Sequence, residues 1–253
     1  LEEPLISIIM PAYNSEKYIA ESILSVIAQQ YLNWELIVID DSSLDNTVNI
    51  VREFADKDSR IKLFINKNNF GVAKARNKGI AVSSGEWLAF LDSDDIWQKE
   101  KLSKQFEVIV KETAGFVFTG VEYINEEGKP FKGNHEIPQK VSYKELKRHN
   151  AIACSSVLLK KEYFANLRMR TGNLHEDYAT WLEILKNGKT AYGVNEPLLV
   201  YRLYRSSRSG NKLKTFVMTY NAFRAVDIGA LSAVYYTICH VLASVNKYSK
   251  ILT

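Results

Sequence analysis

Three groups of acidic residues are placed where they can do chemistry. Asp92-Ser93-Asp94-Asp95 follows the apolar run Trp87–Leu91. On extended backbone, alternate residues point the same way, so Asp92 and Asp94 can face one cavity. Two carboxylates held that close repel each other unless a cation lies between them. An oxygen-only set suits a hard ion such as Mg²⁺ or Mn²⁺, which keeps open positions for substrate phosphates. Asp40-Asp41 follows a second apolar run, a location suited to accepting hydrogen bonds from a base or ribose. His175-Glu176-Asp177 opens a short helical pattern. Each group also has a plainer reading, because acids are common in turns and at helix N-termini. Asp95 would cap a helix near Lys99–Lys111, Asp45 the helix after Asp41, and Glu176-Asp177 would simply begin a helix.

The elements that must position these acids are legible in the first half of the chain. Leu5–Met10 reads as a buried parallel strand, broken by Pro11-Ala12-Tyr13-Asn14. Ser15 would cap a helix running to about Gln30, with Ile19, Ile23 and Val26 or Ile27 on one face. Leu36–Ile39, Ile61–Ile65 and Trp87–Leu91 read as strands, separated by helices from Asp45 or Asn46 and over Gly71–Ser83. This βαβαβαβ order implies a parallel, doubly wound sheet of the α/β class. Ligands of such sheets bind beyond the carboxyl ends of the strands. The loops at Pro11–Asn14, Asp40–Asp41 and Asp92–Asp95 therefore converge on one rim. Lys74 and Arg76 lie early in the third helix, where cations oppose the dipole and a nearby anion would account for them.

Beyond Glu112 the pattern is less regular. Phe116–Thr119, Val157–Leu159, Ala191–Val194 and Leu198–Tyr201 read as strands, Asn125–Pro138 as a loop or hairpin, and Asp177–Asn187 as a helix closed by Gly188. From Asn211 onward the chain reads as helical.

Composition excludes several classes. The chain has 253 residues, 46% apolar and 25% charged, which fits a soluble globular protein rather than a disordered or fibrous one. Net charge is +4, from 33 basic and 29 acidic residues, so nucleic-acid binding is not demanded and none is expected. Cys154 and Cys239 form no Cys-x-x-Cys pair, which argues against a zinc ribbon and fits a reducing compartment. No signal-peptide pattern opens the chain; its first residue is Leu, so a processed end or a segment boundary is expected. Gly188-Lys189-Thr190 ends like a phosphate loop, but position 183 is Glu instead of Gly. No Gly-x-Gly-x-x-Gly occurs, which weakens a dinucleotide-oxidoreductase reading.

The sequence resembles the family 2 glycosyltransferases, which carry the nucleotide-diphospho-sugar-binding GT-A fold. The resemblance rests on Pro11-Ala12-Tyr13-Asn14, the run from Trp34 to Ser43, Asn69-Phe70-Gly71 with Ala75-Arg76-Asn77, Leu91 to Asp95, and Glu176-Asp177. It covers about residues 5–205. It implies a mostly parallel, Rossmann-like sheet with a C-terminal helical appendage. A glycosyltransferase domain would span 1–210, with a nucleotide-binding half to about 115 and an acceptor half from 116, followed by a helical tail over 211–253. It further implies an inverting transfer from a nucleotide-diphospho-sugar, most commonly a UDP-sugar, with Mn²⁺ or Mg²⁺ as cofactor. Asp41 would contact the base, and Arg76 would help hold the nucleotide. Asp92 and Asp94 would form the DxD pair on ribose and metal, and Asp177 would be the general base. Pro11, Tyr13, Asn14 and Ser93 complete the expected nucleotide-binding set. Trp181, at i+4 from Asp177, reads as core.

One departure is Tyr204, standing where some members carry a histidine after a Tyr-Arg pair. Arg202, Arg205 or Arg208 is then the expected diphosphate ligand, on a flexible lid from Arg205 to Lys212. The expected acceptor is a glycan or lipid-linked intermediate of bacterial polysaccharide synthesis, and the expected location of the protein is the cytoplasm, including the inner face of the membrane. From Ile228 to Val245 the tail carries no Asp, Glu, Lys or Arg, and Ile228, Leu231, Tyr235, Ile238, Leu242 and Val245 follow helical spacing. That reads as a packed or interface-lying helix rather than a span, in contact with a membrane or with a second copy in a homodimer. The competing readings on the same fold are a nucleotidyltransferase, which usually needs a Gly- and base-rich loop after the first strand, and a non-catalytic sugar-nucleotide-binding module, which would not need Asp92, Asp94 and Asp177.

Overall fold

The computed structural model describes residues 3–131, 137–204 and 212–251. The first half follows the predicted alternation: β1 (Ile6–Ala12), α1 (Ile19–Ile27), β2 (Trp34–Asp40), α2 (Thr47–Ala55), β3 (Ile61–Ile65), α3 (Val72–Val82) and β4 (Trp87–Phe90). These four strands pair in parallel in the order β3-β2-β1-β4. Strand side chains alternate between the two faces, and here both faces are apolar. Ile6, Ile8 and Met10 of β1 pack with Ile19, Ile23 and Val26 of α1 and Val51 of α2, whereas Ile9 packs with Ala73 and Ile80 of α3.

The second half comprises β5 (Ile96–Trp97), α4 (Lys101–Glu112), β6 (Phe116–Ile124), β7 (Lys140–Val141), α5 (Tyr143–Leu146), β8 (Leu158–Lys160), α6 (Glu176–Lys186) and β9 (Ala191–Arg202). It extends the same sheet as β4-β8-β6-β9-β5, with β7 also on β9. The long ladders of the sheet are parallel, and the short ones, β4–β8, β6–β8, β5–β9 and β7–β9, are antiparallel. Two predicted strands, Ala191–Val194 and Leu198–Tyr201, are one strand, β9, whose register against β6 shifts around Gly120. A Cβ on Gly120 would lie 2.7 Å from the Glu196 carbonyl oxygen, so the two chains approach there only because the side chain is absent. Trp181 of α6 is fully buried and packs edge-on to Phe116, which agrees with its core reading.

Two helices end the chain, α7 (Lys212–Ala225) and α8 (Ala230–Ile251). Among the described residues no helix is long and apolar enough to cross a membrane. Helix α8 turns Ala233, Thr237 and His240 inward. Its regular apolar stripe, including Leu231, Tyr235, Ile238, Leu242 and Val245, faces outward.

Candidate active site

The carboxyl ends of β1, β2 and β4 form one rim, and short polar bonds lace their loops together. Ala12 pairs in register with Asp40, and the Asp41 amide donates to the Ala12 carbonyl at 2.8 Å. Asn14, in the left-handed region at φ 48°, accepts from the Leu44 amide at 2.8 Å and donates its own amide to Ser43 Oγ at 2.9 Å. Ser15 Oγ lies 2.8 Å from Ser93 Oγ, joining the loop after β1 to the loop after β4. Of the expected nucleotide-binding residues, Tyr13 is exposed on the rim, while Pro11 lies buried within β1 opposite Ile39.

Asp41 is buried and serves the loop that leads into α3. Its carboxylate accepts from Asn66 Nδ2 at 2.8 Å, from the Phe70 amide at 3.0 Å and from the Gly71 amide at 2.6 Å. Gly71 takes φ +86°, a conformation that suits glycine. Asp41 thus fixes the chain from Asn66 to Gly71 at the rim.

Arg76 is buried beneath the rim. Its two terminal nitrogens donate to Asp92 Oδ1 at 2.5 Å and to Glu176 Oε1 at 2.7 Å. Burial opposes its charge, yet Asp92, Glu176 and Asp177 around it hold its pKa well above the ordinary arginine value. One guanidinium therefore joins the loop after β4 to the first turn of α6.

Asp94 lies on the same loop. Its pKa is raised, first by burial and then by the charge of Asp92. Tyr204 donates its hydroxyl to Asp94 Oδ2 at 2.5 Å. Asp95 is buried and its pKa is raised well above the carboxylate range, by burial and then by Asp94 and Asp92. It accepts from the Arg202 amide at 3.4 Å, so it anchors the end of β9 and does not cap α4, whose N-cap is Glu100. The Arg202 side chain is also buried. It pairs with Glu21 at 2.7 Å and lies over the Tyr18 ring, so it is committed to the fold and turned away from the role of a phosphate ligand. Arg205, Arg208 and the expected lid up to position 211 lie outside the described residues.

The donor set fits a divalent cation in its chemistry. Asp92 and Asp94 offer oxygen donors on alternate positions of one loop, and the charge of Asp92 raises the cost of a charge on Asp94, which a cation would relieve. Arg76 and Tyr204 each occupy one oxygen and orient the remaining one. Among the described residues no group of three or more His, Cys, Asp or Glu side chains gathers into a metal cage. An ion held here would take its other ligands from phosphate oxygens and water, the arrangement Mg²⁺ and Mn²⁺ favour with phosphate substrates.

Asp177 is the second residue of α6, after Glu176 and the N-cap His175. It retains some exposure although protein surrounds it. Burial, followed by the Glu176 charge, raises its pKa, while Arg76 and His175 pull the other way. Glu176 is engaged with Arg76, which leaves Asp177 as the acid of this turn with access to solvent. The structure thus brings Asp92 and the first turn of α6 together around Arg76, with Asp94 acting on this group through Asp92. Sequence reading missed Ser155, whose Oγ accepts from the Asp92 amide at 3.1 Å. A serine between irregular strands carries no local signal of such a role.

The sequence profile of glycosyl transferase family 2 matches residues 7–179. A relative from Escherichia coli, named UDP-Glc:alpha-D-GlcNAc-diphosphoundecaprenol beta-1,3-glucosyltransferase WfgD, is 38% identical over 250 residues, 98% of this chain and 97% of that protein. Two solved structures share the fold. Staphylococcus aureus TarS in complex with UDP-GlcNAc aligns with a TM-score of 0.71 at 20% identity, over 92% of this chain and 70% of that one. The mannosyltransferase PcManGT from Pyrobaculum calidifontis, in complex with GDP-Man and Mn²⁺, aligns with a TM-score of 0.70 at 18% identity, over 96% of this chain and 75% of that one.

Proposed function

The chain belongs to glycosyl transferase family 2, and on that premise we propose that it is a metal-dependent, inverting transferase that moves a sugar from a UDP-sugar to a lipid-linked or glycan acceptor. The observation that carries the reading is the Arg76 bridge between Asp92 and Glu176, because it ties a cation-binding pair and a candidate base into one constellation.

Asp92 and Asp94 are the residues that would hold a divalent cation, which when bound supplies positive charge against the departing diphosphate. Arg76 acts on the donor through Asp92, fixing which oxygen turns toward the diphosphate. Tyr204 does the same for Asp94. The loops at Tyr13–Asn14 and Asn66–Gly71 form the walls for ribose and base, with Asp41 setting the second wall. Asp177 accepts the proton of the acceptor hydroxyl as that oxygen bonds to the anomeric carbon. The bond from that carbon to the diphosphate oxygen breaks on the opposite face, so the anomeric centre inverts. A base with a raised pKa is better matched to taking that proton near neutral pH than an ordinary aspartate.

The UDP donor and the diphosphate-lipid acceptor are carried over from the name of WfgD, which matches almost end to end. The cation is supported by the acid pair and by the Mn²⁺ beside GDP-Man in PcManGT. In this reading residues 1–210 form the catalytic domain and 211–253 the tail. Thermal denaturation in the presence of nucleotide sugars tests it. A UDP-sugar should raise the melting temperature with Mn²⁺ present and lose that effect on adding EDTA. No shift with any nucleotide sugar, or one indifferent to EDTA, would overturn it.

A further inference from the structure

We propose that the outer face of α8 is a docking surface for an anionic lipid bilayer, on which the protein lies without crossing it. A surface helix ordinarily buries its apolar stripe and shows its polar residues to water. Helix α8 does the reverse. Ala233, Thr237 and His240 point inward, with the Thr237 hydroxyl bonded to the Ala233 carbonyl at 2.7 Å. Leu231, Val234, Tyr235, Ile238, Leu242 and Val245 are exposed, Leu231 at 89% and Leu242 at 65%. At the helical rise this stripe runs for about 20 Å. A contiguous apolar face of that length marks an interaction site, because monomers rarely leave one in water.

Charge selects the occupant. From Lys212 to Ile251 the two terminal helices and their connection carry five lysines and arginines and one acid, Asp227. Asp227 faces Lys186 at 3.9 Å. An anionic headgroup layer offers the opposite charge together with an apolar interior, the pairing that amphipathic helices use to lie in an interface. No described helix is apolar enough to span instead.

The inner face of α8 connects this surface to the site. His240 Nε2 lies 2.8 Å from the Tyr178 hydroxyl, and Tyr178 follows Asp177. Lys247 sits over the Tyr123 ring, which packs on Tyr201 of the strand leading to Tyr204. A bilayer under α8 therefore runs beside the elements that hold Asp177 and Tyr204. That an acceptor diphosphate arrives from this bilayer rests on the proposed function; the docking surface does not.

Vesicle flotation of the full chain tests the proposal, using phosphatidylglycerol–phosphatidylethanolamine vesicles against pure phosphatidylcholine ones, with no acceptor present. The wild type should float with the anionic vesicles. The doubly substituted chain, Leu231→Glu with Leu242→Glu, should partition about tenfold more weakly or worse, since two apolar anchors are lost and like charge is added. Both positions are exposed, so its melting temperature and UDP affinity should match the wild type. A wild type that stays with the soluble fraction, or a double variant that floats equally well, overturns the proposal. So does a sedimenting dimer that the double variant dissolves, which would make the face a contact between copies. A protein that floats but transfers no sugar would overturn the proposed reaction and leave the docking surface standing.

Discussion

The Tyr204 hydroxyl donates a 2.5 Å hydrogen bond to Asp94 Oδ2, tying the segment that follows β9 to the acid loop that follows β4. A phenol cannot take the place of a neutral imidazole as a ready metal ligand, but it can hold a carboxylate in one orientation. Tyr204→Phe removes that hold and leaves the ring. It should weaken Mn²⁺ binding by about 10–100-fold, the usual effect of losing a hydrogen bond to a ligating group. Calorimetric titration with Mn²⁺ reads this directly, and an unchanged affinity would show that Asp94 is oriented without Tyr204.

Arg76 is a clamp before it is anything else. Arg76→Ala leaves the buried Glu176 and the partly exposed Asp92 without their cation, which should cost about 3 kcal/mol of folding stability. Arg76→Lys keeps the charge but cannot span both acids with a planar fork, so it should recover only part of the loss. Chemical denaturation of the three proteins measures both steps. A lysine variant as stable as the wild type would mean that charge alone suffices.

Asp94 and Asp177 should separate binding from turnover. Asp94→Asn removes an anionic ligand and should abolish metal-dependent donor binding. Asp177→Asn should leave donor binding intact and lower kcat by about 10²–10⁴-fold, the usual contribution of a general base. Equilibrium dialysis with donor and single-turnover transfer assays distinguish the two. Normal turnover by the second variant would remove Asp177 from the base role.

His240 should make the protein acid-sensitive. Burial lowers its pKa from 6.5 to about 4, with His149 and His175 adding in the same direction and the Leu146 carbonyl opposing. The unfolded chain then binds the proton more readily than the folded one between these values. Stability is complete above pH 6.5 and declines as pH falls toward 4, by roughly 3 kcal/mol at 1.36 kcal/mol per unit. His240→Gln keeps a neutral polar side chain and should flatten this decline. Melting curves from pH 7 to pH 4 for the two proteins provide the comparison, and parallel curves would assign the acid sensitivity to other groups.

Much of the parallel half was legible because its signals are local. Ile61–Ile65 matches β3 residue for residue, and Gly71 and Ser83, the predicted ends of the third helix, flank α3 as its caps. The short elements β5, β7 and α5, of two to four residues, carry too little periodicity to stand out. The antiparallel setting of β8 was hidden for a related reason: an apolar triplet reads the same in either direction, and its partners β4 and β6 are distant in sequence. In the site, Asp41, Asp92 and Asp94 were visible from their places after strands, and Asp177 from the family resemblance. Their partners were not, since Arg76 reaches Asp92 across 16 positions and Glu176 across 100.

By itself, then, the sequence determined the α/β order, the rim on which the acid groups meet, and the family. Apolar alternation, turn residues and motif spacing are properties of neighbouring positions and survive without the fold. Only the tertiary structure decided that Arg76 clamps two carboxylates, that Arg202 is committed to Glu21, and that α8 turns its apolar stripe outward. Helical spacing defines a face but not the direction in which it points, and a charge does not reveal its counter-ion. Both depend on which distant surfaces the packed core brings against them.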